Sequence, residues 1–244
     1  MILIHGFAQT PDSWRGVIDA LAPKREVHAI ELPGHGKTAL TLGAPTVTSV
    51  REFVASEVDR LAGGRAVIWG YSQGGRVAYD FVLSAPERVS ALVIESAAPG
   101  IADPIARADR RSRDEALASR IEAGKIEDFV AMWETIPALG EQTKEEVESQ
   151  RHVRMAQTPE GLAASLRGIG QAAYEPMWDR LTEIAVPTLL ISGERDVIYT
   201  RHAQAAAEAI PGARQLTIPA ASHAVHLQEP AATLAAVEEF LEAL

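Results

Sequence analysis

Six short runs of aliphatic and β-branched residues, at positions 2–4, 27–30, 66–69, 91–94, 188–191 and 215–218, alternate with stretches of helical periodicity. Strand runs spaced in this way need crossover connections, and right-handed β-α-β crossovers build a mainly parallel sheet with helices on both faces. The expected fold class is therefore α/β. One interval breaks the alternation: between Glu95 and Pro187 there is no strand run, only helical pattern rich in alanine, arginine and glutamate. Helices are expected over 104–121, with Pro104 in the first turn, and over 126–136, 144–155 and 159–169. With 244 residues, 47% of them hydrophobic, the chain can bury one substantial core and carry a large insertion. The expected organisation is a core of residues 1–96 and 186–244 with a helical cap at 97–185.

Composition narrows the function. A net charge of -10 repels polyanions, which argues against a nucleic-acid or anionic-membrane surface. Any anionic ligand must then be held by locally grouped arginines. The absence of cysteine removes disulfides, thiolate catalysis and cysteine-ligated metals, and fits a reducing compartment. No metal or cofactor is implied. The opening Met1-Ile2-Leu3-Ile4-His5 has no basic segment or long apolar run, so neither a signal peptide nor a membrane span is expected and the cytoplasm is the default. The oligomeric state, monomer or weak dimer, stays open.

The run GYSQGGR at residues 70–76 sits between a strand and a helix, because Val77, Ala78, Phe81 and Val82 recur at helical spacing after it. This is the context of a G-x-S-x-G nucleophile elbow, in which Gly70 and Gly74 leave room for a sharp turn that lifts the Ser72 hydroxyl above the sheet edge. A serine hydroxyl is a weak nucleophile and a weak acid. It needs a neutral imidazole to take its proton and a carboxylate to orient that imidazole. Asp196 follows the strand run 188–191 in SGERD, and His223 follows the run 215–218 in PAASHAVH, which gives the order Ser, Asp, His with each residue on a loop beyond a strand end. Glu95, at the end of its own strand, is a second candidate for the acid. His226, three residues on, ranks below His223 for the imidazole.

An oxyanion hole in such a site draws on the backbone N–H after the nucleophile and another after an early strand, which here are Gln73 and Phe7. Gly6, in LIHGF, lets the backbone approach a substrate oxygen, and His5 is expected to pack the loop. GHGKT at 34–38 looks like the end of a phosphate-binding loop, but that loop needs glycine at the position held by Glu31. ELPGHGKT is read as a strand-end turn.

With LIHGF, ELPGHGKT, GYSQGGR, SGERD and SHAVH in this order, the sequence resembles the α/β-hydrolase superfamily over nearly its full length. Many of those relatives carry one or two strands ahead of the oxyanion loop's strand, so this chain fits either a compact variant or a displaced start. Within the superfamily it is most similar to the 2-succinyl-6-hydroxy-2,4-cyclohexadiene-1-carboxylate synthases of menaquinone biosynthesis. That similarity rests on the arginine closing GYSQGGR, on ESAAPGI followed by an arginine-rich helix, on FVAMWETIP and on TPEGLAASLRGIG. The resemblance implies a lyase that eliminates pyruvate from a cyclohexene bearing an enolpyruvyl group, with Ser72, His223 and Asp196 acting together as the base. It implies carboxylate contacts from Arg76, Arg110 and Arg154, and pocket walls from Tyr71 and Trp133. Arginine suits the task, since its planar fork binds a carboxylate through two hydrogen bonds. The sequence departs from the family pattern at Ile198 and Tyr199, where lysine and phenylalanine are usual, at Ala172-Ala173-Tyr174, and at Ser222, where glycine is usual.

The same triad also serves an esterase, a thioesterase or a carbon-carbon bond hydrolase. A noncatalytic ligand receptor on this fold would not need all three residue types.

Overall fold

Successive residues of each strand point to opposite faces, and in this chain both faces are apolar. Ile2, Ile4, Ile68, Leu92 and Ile94 enter one core, while Leu3, Trp69, Ala91 and Val93 enter the other. Such two-sided burial is the signature of a parallel sheet covered by helices on both faces. The computed structural model describes residues 1–38, 40–136 and 142–244. Its strands are β1 (Ile2–Ile4), β2 (His28–Ile30), β3 (Ala66–Tyr71), β4 (Val89–Glu95), β5 (Thr188–Gly193) and β6 (Arg214–Ile218). They form one sheet in the order β2-β1-β3-β4-β5-β6, and every pairing is parallel. All six expected strands are present. Three of them run one or two residues further, β3 and β5 toward the loops that carry Ser72 and Asp196 and β4 to Glu95 itself.

The helices are α1 (Arg15–Leu21), α2 (Val47–Ala62), α3 (Gln73–Ser84), α4 (Pro104–Glu122), α5 (Ile126–Trp133), α6 (Lys144–Met155), α7 (Pro159–Ile169), α8 (Val197–Ala209), α9 (Val225–Gln228) and α10 (Pro230–Glu242). Residues of α2, α3 and α8 fill the core on one face, and residues of α1 and α10 fill it on the other. Between β4 and β5 lie α4 to α7, in the interval that lacks strand pattern. The helix expected over 126–136 ends at Trp133, because Thr135 and Ile136 close turns onto Met132 and Trp133, three residues back. Pro137, the last residue of FVAMWETIP, lies outside the described residues.

Helices α4, α5 and α7 share a smaller core, in which Ala118, Ile121, Phe129, Val130, Leu162 and Leu166 pack with Ala8 and Phe7 from the loop after β1. Three of the inserted helices, α4, α5 and α7, therefore rest on the loop after β1. Because β1 pairs with β2 on one side and β3 on the other, the strand order reverses there. Open parallel sheets bind ligands outside the carboxyl ends of the strands at such a switch point.

Candidate active site

Ser72 caps the N-terminus of α3 with φ 52° and ψ -109°, a conformation that a residue with a side chain adopts only when its surroundings force it. The flanking glycines do the forcing. A Cβ on Gly70 would stand 2.3 Å from the Gly74 carbonyl oxygen, and one on Gly74 would stand 2.2 Å from that of Ile4. Only bare backbone lets the strand, turn and helix close this tightly.

The structure brings the three predicted residues together across 151 positions of sequence. Nε2 of His223 lies 3.0 Å from Oγ of Ser72, and Nδ1 lies 2.6 Å from Oδ2 of Asp196. The other Asp196 oxygen accepts the Tyr199 backbone N–H at 3.2 Å and so caps α8. One carboxylate thus orients the imidazole while a helix N-terminus, which favours negative charge, holds it in place. With Nδ1–H donating to Asp196, Nε2 is free to accept the serine proton.

Glu95 does not serve His223. Its Oε1 lies 2.6 Å from Nδ1 of His226, and both side chains are fully buried, so each histidine has a carboxylate of its own.

The Phe7 and Gln73 backbone N–H groups have no acceptor among the described residues. The peptide joining Gly6 to Phe7 is fixed from its other end: the Gly6 carbonyl accepts from Nδ1 of His5 at 2.8 Å and from the Gln9 N–H at 3.3 Å. Since the two ends of a trans peptide point in opposite directions, holding the carbonyl aims the Phe7 N–H away from His5. Nε2 of His5 accepts the Leu32 N–H at 3.0 Å, so His5 packs and ties the loop as expected. Burial pushes its imidazole down to about 4, partly offset by the Gly6 carbonyl, so it is neutral near pH 7.

A cavity of about 500 Å³ opens above these groups. Phe7, Tyr71, Ser72, Gln73 and His223 line its floor, and Trp133, Arg110 and Arg154 line it from the inserted helices. Asp196 stands behind His223. Phe7 and Trp133 meet edge to face at 5.2 Å. Among the described lining residues are four arginines, Arg76, Arg110, Arg113 and Arg154, against one acid, Asp114. A chain of net charge -10 therefore has a cationic cavity.

The arginines differ in their partners. Arg154 is buried, with Nη1 3.0 Å from Glu134, and it also donates to Gln142 and to the Val147 carbonyl. Arg110 donates from Nε to Asp114 at 2.7 Å and from Nη1 to Gln171. Arg76 is 5% exposed, has no hydrogen-bonded or ion-paired acid among the described residues, and its Nε has no acceptor. Burial depresses its pKa, opposed by Tyr199, Tyr174 and the Asp114 carboxylate and reinforced by nearby Arg110, so Asp114 acts on it through space without a hydrogen bond or ion pair. Burial also raises the Tyr71 phenol well above its usual range, with Glu95 and Asp196 adding to the rise, so it stays protonated.

Sequence reasoning missed Arg113, Asp114 and Gln171 in the cavity wall, whereas Tyr199, where the family has phenylalanine, lines it. The Arg110–Asp114 pairing was legible as an i,i+4 spacing on one helix face. Gln171 carried no signal, because it meets Arg110 only through the packing of α4 beside α7.

The geometry has counterparts in known proteins. The model of the alpha/beta hydrolase family matches residues 1–237. This chain belongs to the α/β-hydrolase family. Among its relatives, a Bacillus subtilis (strain 168) protein provisionally named 2-succinyl-6-hydroxy-2,4-cyclohexadiene-1-carboxylate synthase is 36% identical, over 100% of this chain and 90% of its own length. A pimeloyl-[acyl-carrier protein] methyl ester esterase of Aeromonas hydrophila is 28% identical over 99% of this chain and 94% of its own. The solved structure of MenH from S. aureus superposes with a TM-score of 0.94 at 29% identity, covering 100% of this chain and 94% of that one. In this hydrolase-family chain, no described helix is long and apolar enough to cross a membrane.

Proposed function

We propose that this protein is a carbon-oxygen lyase of the 2-succinyl-6-hydroxy-2,4-cyclohexadiene-1-carboxylate synthase type, which eliminates pyruvate from a cyclohexene carboxylate bearing an enolpyruvyl group. The full-length similarity to the B. subtilis and S. aureus proteins supports the class of reaction. The observation that carries the substrate is Arg76, a buried cation one helical turn after Ser72 with no hydrogen-bonded or ion-paired acid among the described residues. Burying an unpaired charge is costly, and a carboxylate ligand would supply the missing partner. Arg110 and Arg154 offer two further forks on the opposite wall, which suits a substrate with several carboxylates.

In this reading the neutral His223 withdraws the proton of Ser72, and Ser72 Oγ removes a proton from a ring carbon. The released electron pair moves into the ring as the carbon-oxygen bond to the enolpyruvyl group breaks. The departing enolate gains a proton on carbon to become pyruvate, and no acyl-enzyme forms. Negative charge passing onto a carbonyl conjugated with the ring meets the Phe7 and Gln73 N–H groups, a contribution on the order of 10²- to 10³-fold in rate for each donor. The protonated Tyr71 adds a hydroxyl to the floor without adding negative charge.

We assign residues 1–96 and 186–244 to the hydrolase core and 97–185 to the cap that carries Arg110, Trp133 and Arg154. A cytoplasmic location belongs to the same reading, supported by the absence of cysteine.

Hydrolysis is the second reading, favoured by the similarity to the Aeromonas esterase and by a Ser72–His223 distance already suited to acylation. A coupled assay for pyruvate on the enolpyruvyl substrate separates the two. The lyase releases pyruvate without acylating Ser72. A p-nitrophenyl acetate burst with stoichiometric acylation, and no pyruvate, would overturn the lyase reading in favour of hydrolysis.

A further inference from the structure

Below the triad lies a second carboxylate–imidazole pair that the proposed chemistry does not use. Glu95 ends β4, and its Oε1 receives both Nδ1–H of His226, at 2.6 Å, and the His226 backbone N–H, at 3.2 Å. Its Oε2 accepts the indole N–H of Trp69 at 3.1 Å. The His226 ring stacks on Trp14 at 4.1 Å and meets the edge of Tyr71 at 5.0 Å. Glu95 is 0% exposed and His226 is 3% exposed. Apolar residues of similar volume would fill this space at lower cost, since removing a carboxylate from water is unfavourable even when it is paired. The pair therefore contributes something that packing alone does not.

The connections of Glu95 indicate what that is. Its backbone carbonyl accepts the N–H of Ser72 at 2.8 Å, so its main chain fixes the elbow. Its side chain fixes His226, three residues after His223. One residue thus holds both members of the Ser72–His223 contact. The segment around His223 has other anchors, but these lead elsewhere. Ser222 donates to Gln228, the Val225 carbonyl accepts from Thr233, and the Ala221 carbonyl accepts from Arg195. Among the described residues, the Glu95 bonds are the hydrogen bonds that tie residues 223–228 to β3 and β4, apart from the Ser72–His223 contact itself.

We infer that Glu95 and His226 are positioning residues that hold His223 in register with Ser72, and so govern proton removal rather than substrate binding. This rests on Ser72 and His223 being the base.

The test is pyruvate release by the full chain, with kcat expressed per folded molecule. His226→Phe keeps an aromatic ring on Trp14 but loses the donor to Glu95. His226→Asn loses the ring but keeps a donor where Nδ1 stands. Glu95→Gln keeps the shape but sets an amide N–H against either Trp69 or His226. A small misplacement of catalytic groups costs on the order of 10²-fold, so His226→Phe and Glu95→Gln should lose about that much in kcat with KM nearly unchanged. His226→Asn should retain most of the turnover. If His226→Phe does not fold, the contrast between Glu95→Gln and His226→Asn carries the same information. Turnover kept in His226→Phe and lost in His226→Asn would make the ring a packing element and overturn the inference, as would normal kcat per folded molecule in Glu95→Gln. The control is wild type against Ser72→Ala. If these two do not differ, the site reading fails, whereas a normal control with fully active Glu95 and His226 variants sinks this inference alone.

Discussion

Gln157, two residues beyond the end of α6, donates from its side-chain amide to the backbone carbonyl of Gln9, 3.1 Å away in the loop after β1. The same amide's oxygen accepts the Gly36 N–H at 3.0 Å, and the Gln9 side chain in turn accepts the Gly6 N–H at 3.2 Å. The inserted helices are therefore bonded to the turn that presents the Phe7 N–H. Gln157→Leu strands buried polar groups, which costs about 1–3 kcal/mol of stability. It is expected to lower kcat by several-fold as the turn loosens. Thermal melts and steady-state kinetics on one preparation check this, and unchanged kcat in the destabilised variant would remove the link to the oxyanion turn.

Arg76 should show opposite effects on stability and activity. Replacing a buried, unpaired charge by an apolar side chain of similar length is expected to stabilise the free protein by about 1–2 kcal/mol. The same change removes a charge-assisted contact to the substrate, worth roughly 3 kcal/mol, or about 10²-fold in kcat/KM. Arg76→Met should therefore melt at a higher temperature and turn over poorly. A variant that is both less stable and fully active would contradict the assignment.

Arg110 and Arg154 should each cost roughly 2–3 kcal/mol in kcat/KM when replaced by alanine, if both grip the substrate. They should differ in stability. Arg154→Ala leaves Glu134, whose side chain is 6% exposed, with Arg151 alone, whereas Arg110 is one-third exposed and its loss is milder. Melting temperatures measured beside the kinetics separate the two effects. Near-normal kinetics in either variant would remove that arginine from the site.

Stability should fall on the acid side through two buried histidines, His5 in the loop after β1 and His35 in the turn after β2. Burial holds His5 at about 4, and holds His35 well below its usual 6.5, helped by the neighbouring His5. A depressed histidine stays neutral in the folded protein while the unfolded chain takes up the proton. The contribution is therefore complete above pH 6.5 and is lost as the pH falls toward 4, by on the order of 3 kcal/mol for His5. Among the described residues the His35 ring nitrogens meet no well-aligned hydrogen-bond partner, with only the nearby Pro33 and Leu32 carbonyls favouring its charged form, so His35→Leu should fold and flatten the acid limb. Melting temperature against pH, wild type beside variant, reads the difference. An unchanged acid limb in His35→Leu would show that this ring does not titrate on unfolding.

Much of this architecture could be read from the chain because it is written in local terms. The unbroken apolar run Ile2, Leu3 and Ile4 fits a strand buried on both faces, and Ser72, Asp196 and His223 each follow such a strand run, so a parallel sheet places them at one edge. The choice between Asp196 and Glu95 was not local. It depends on a three-residue phase that turns His223 toward the elbow and His226 toward β4. Arg110 meets Gln171 across 61 positions, and Gln157 meets Gln9 across 148. Contacts at that range follow from how helices pack, which periodicity does not encode. The early end of α5 has a similar origin, since the residues after Trp133 tighten into turns and Glu134 is taken up by Arg151 and Arg154.

The most direct measurement is the yield of pyruvate from the enolpyruvyl cyclohexene substrate, followed by coupled NADH oxidation, for wild type and Ser72→Ala at equal folded concentration. The account predicts one pyruvate per substrate from the wild type, and a rate lower by about 10³-fold or more in the variant. Wild-type protein that releases no pyruvate, or a Ser72→Ala variant that releases it as fast, would contradict it.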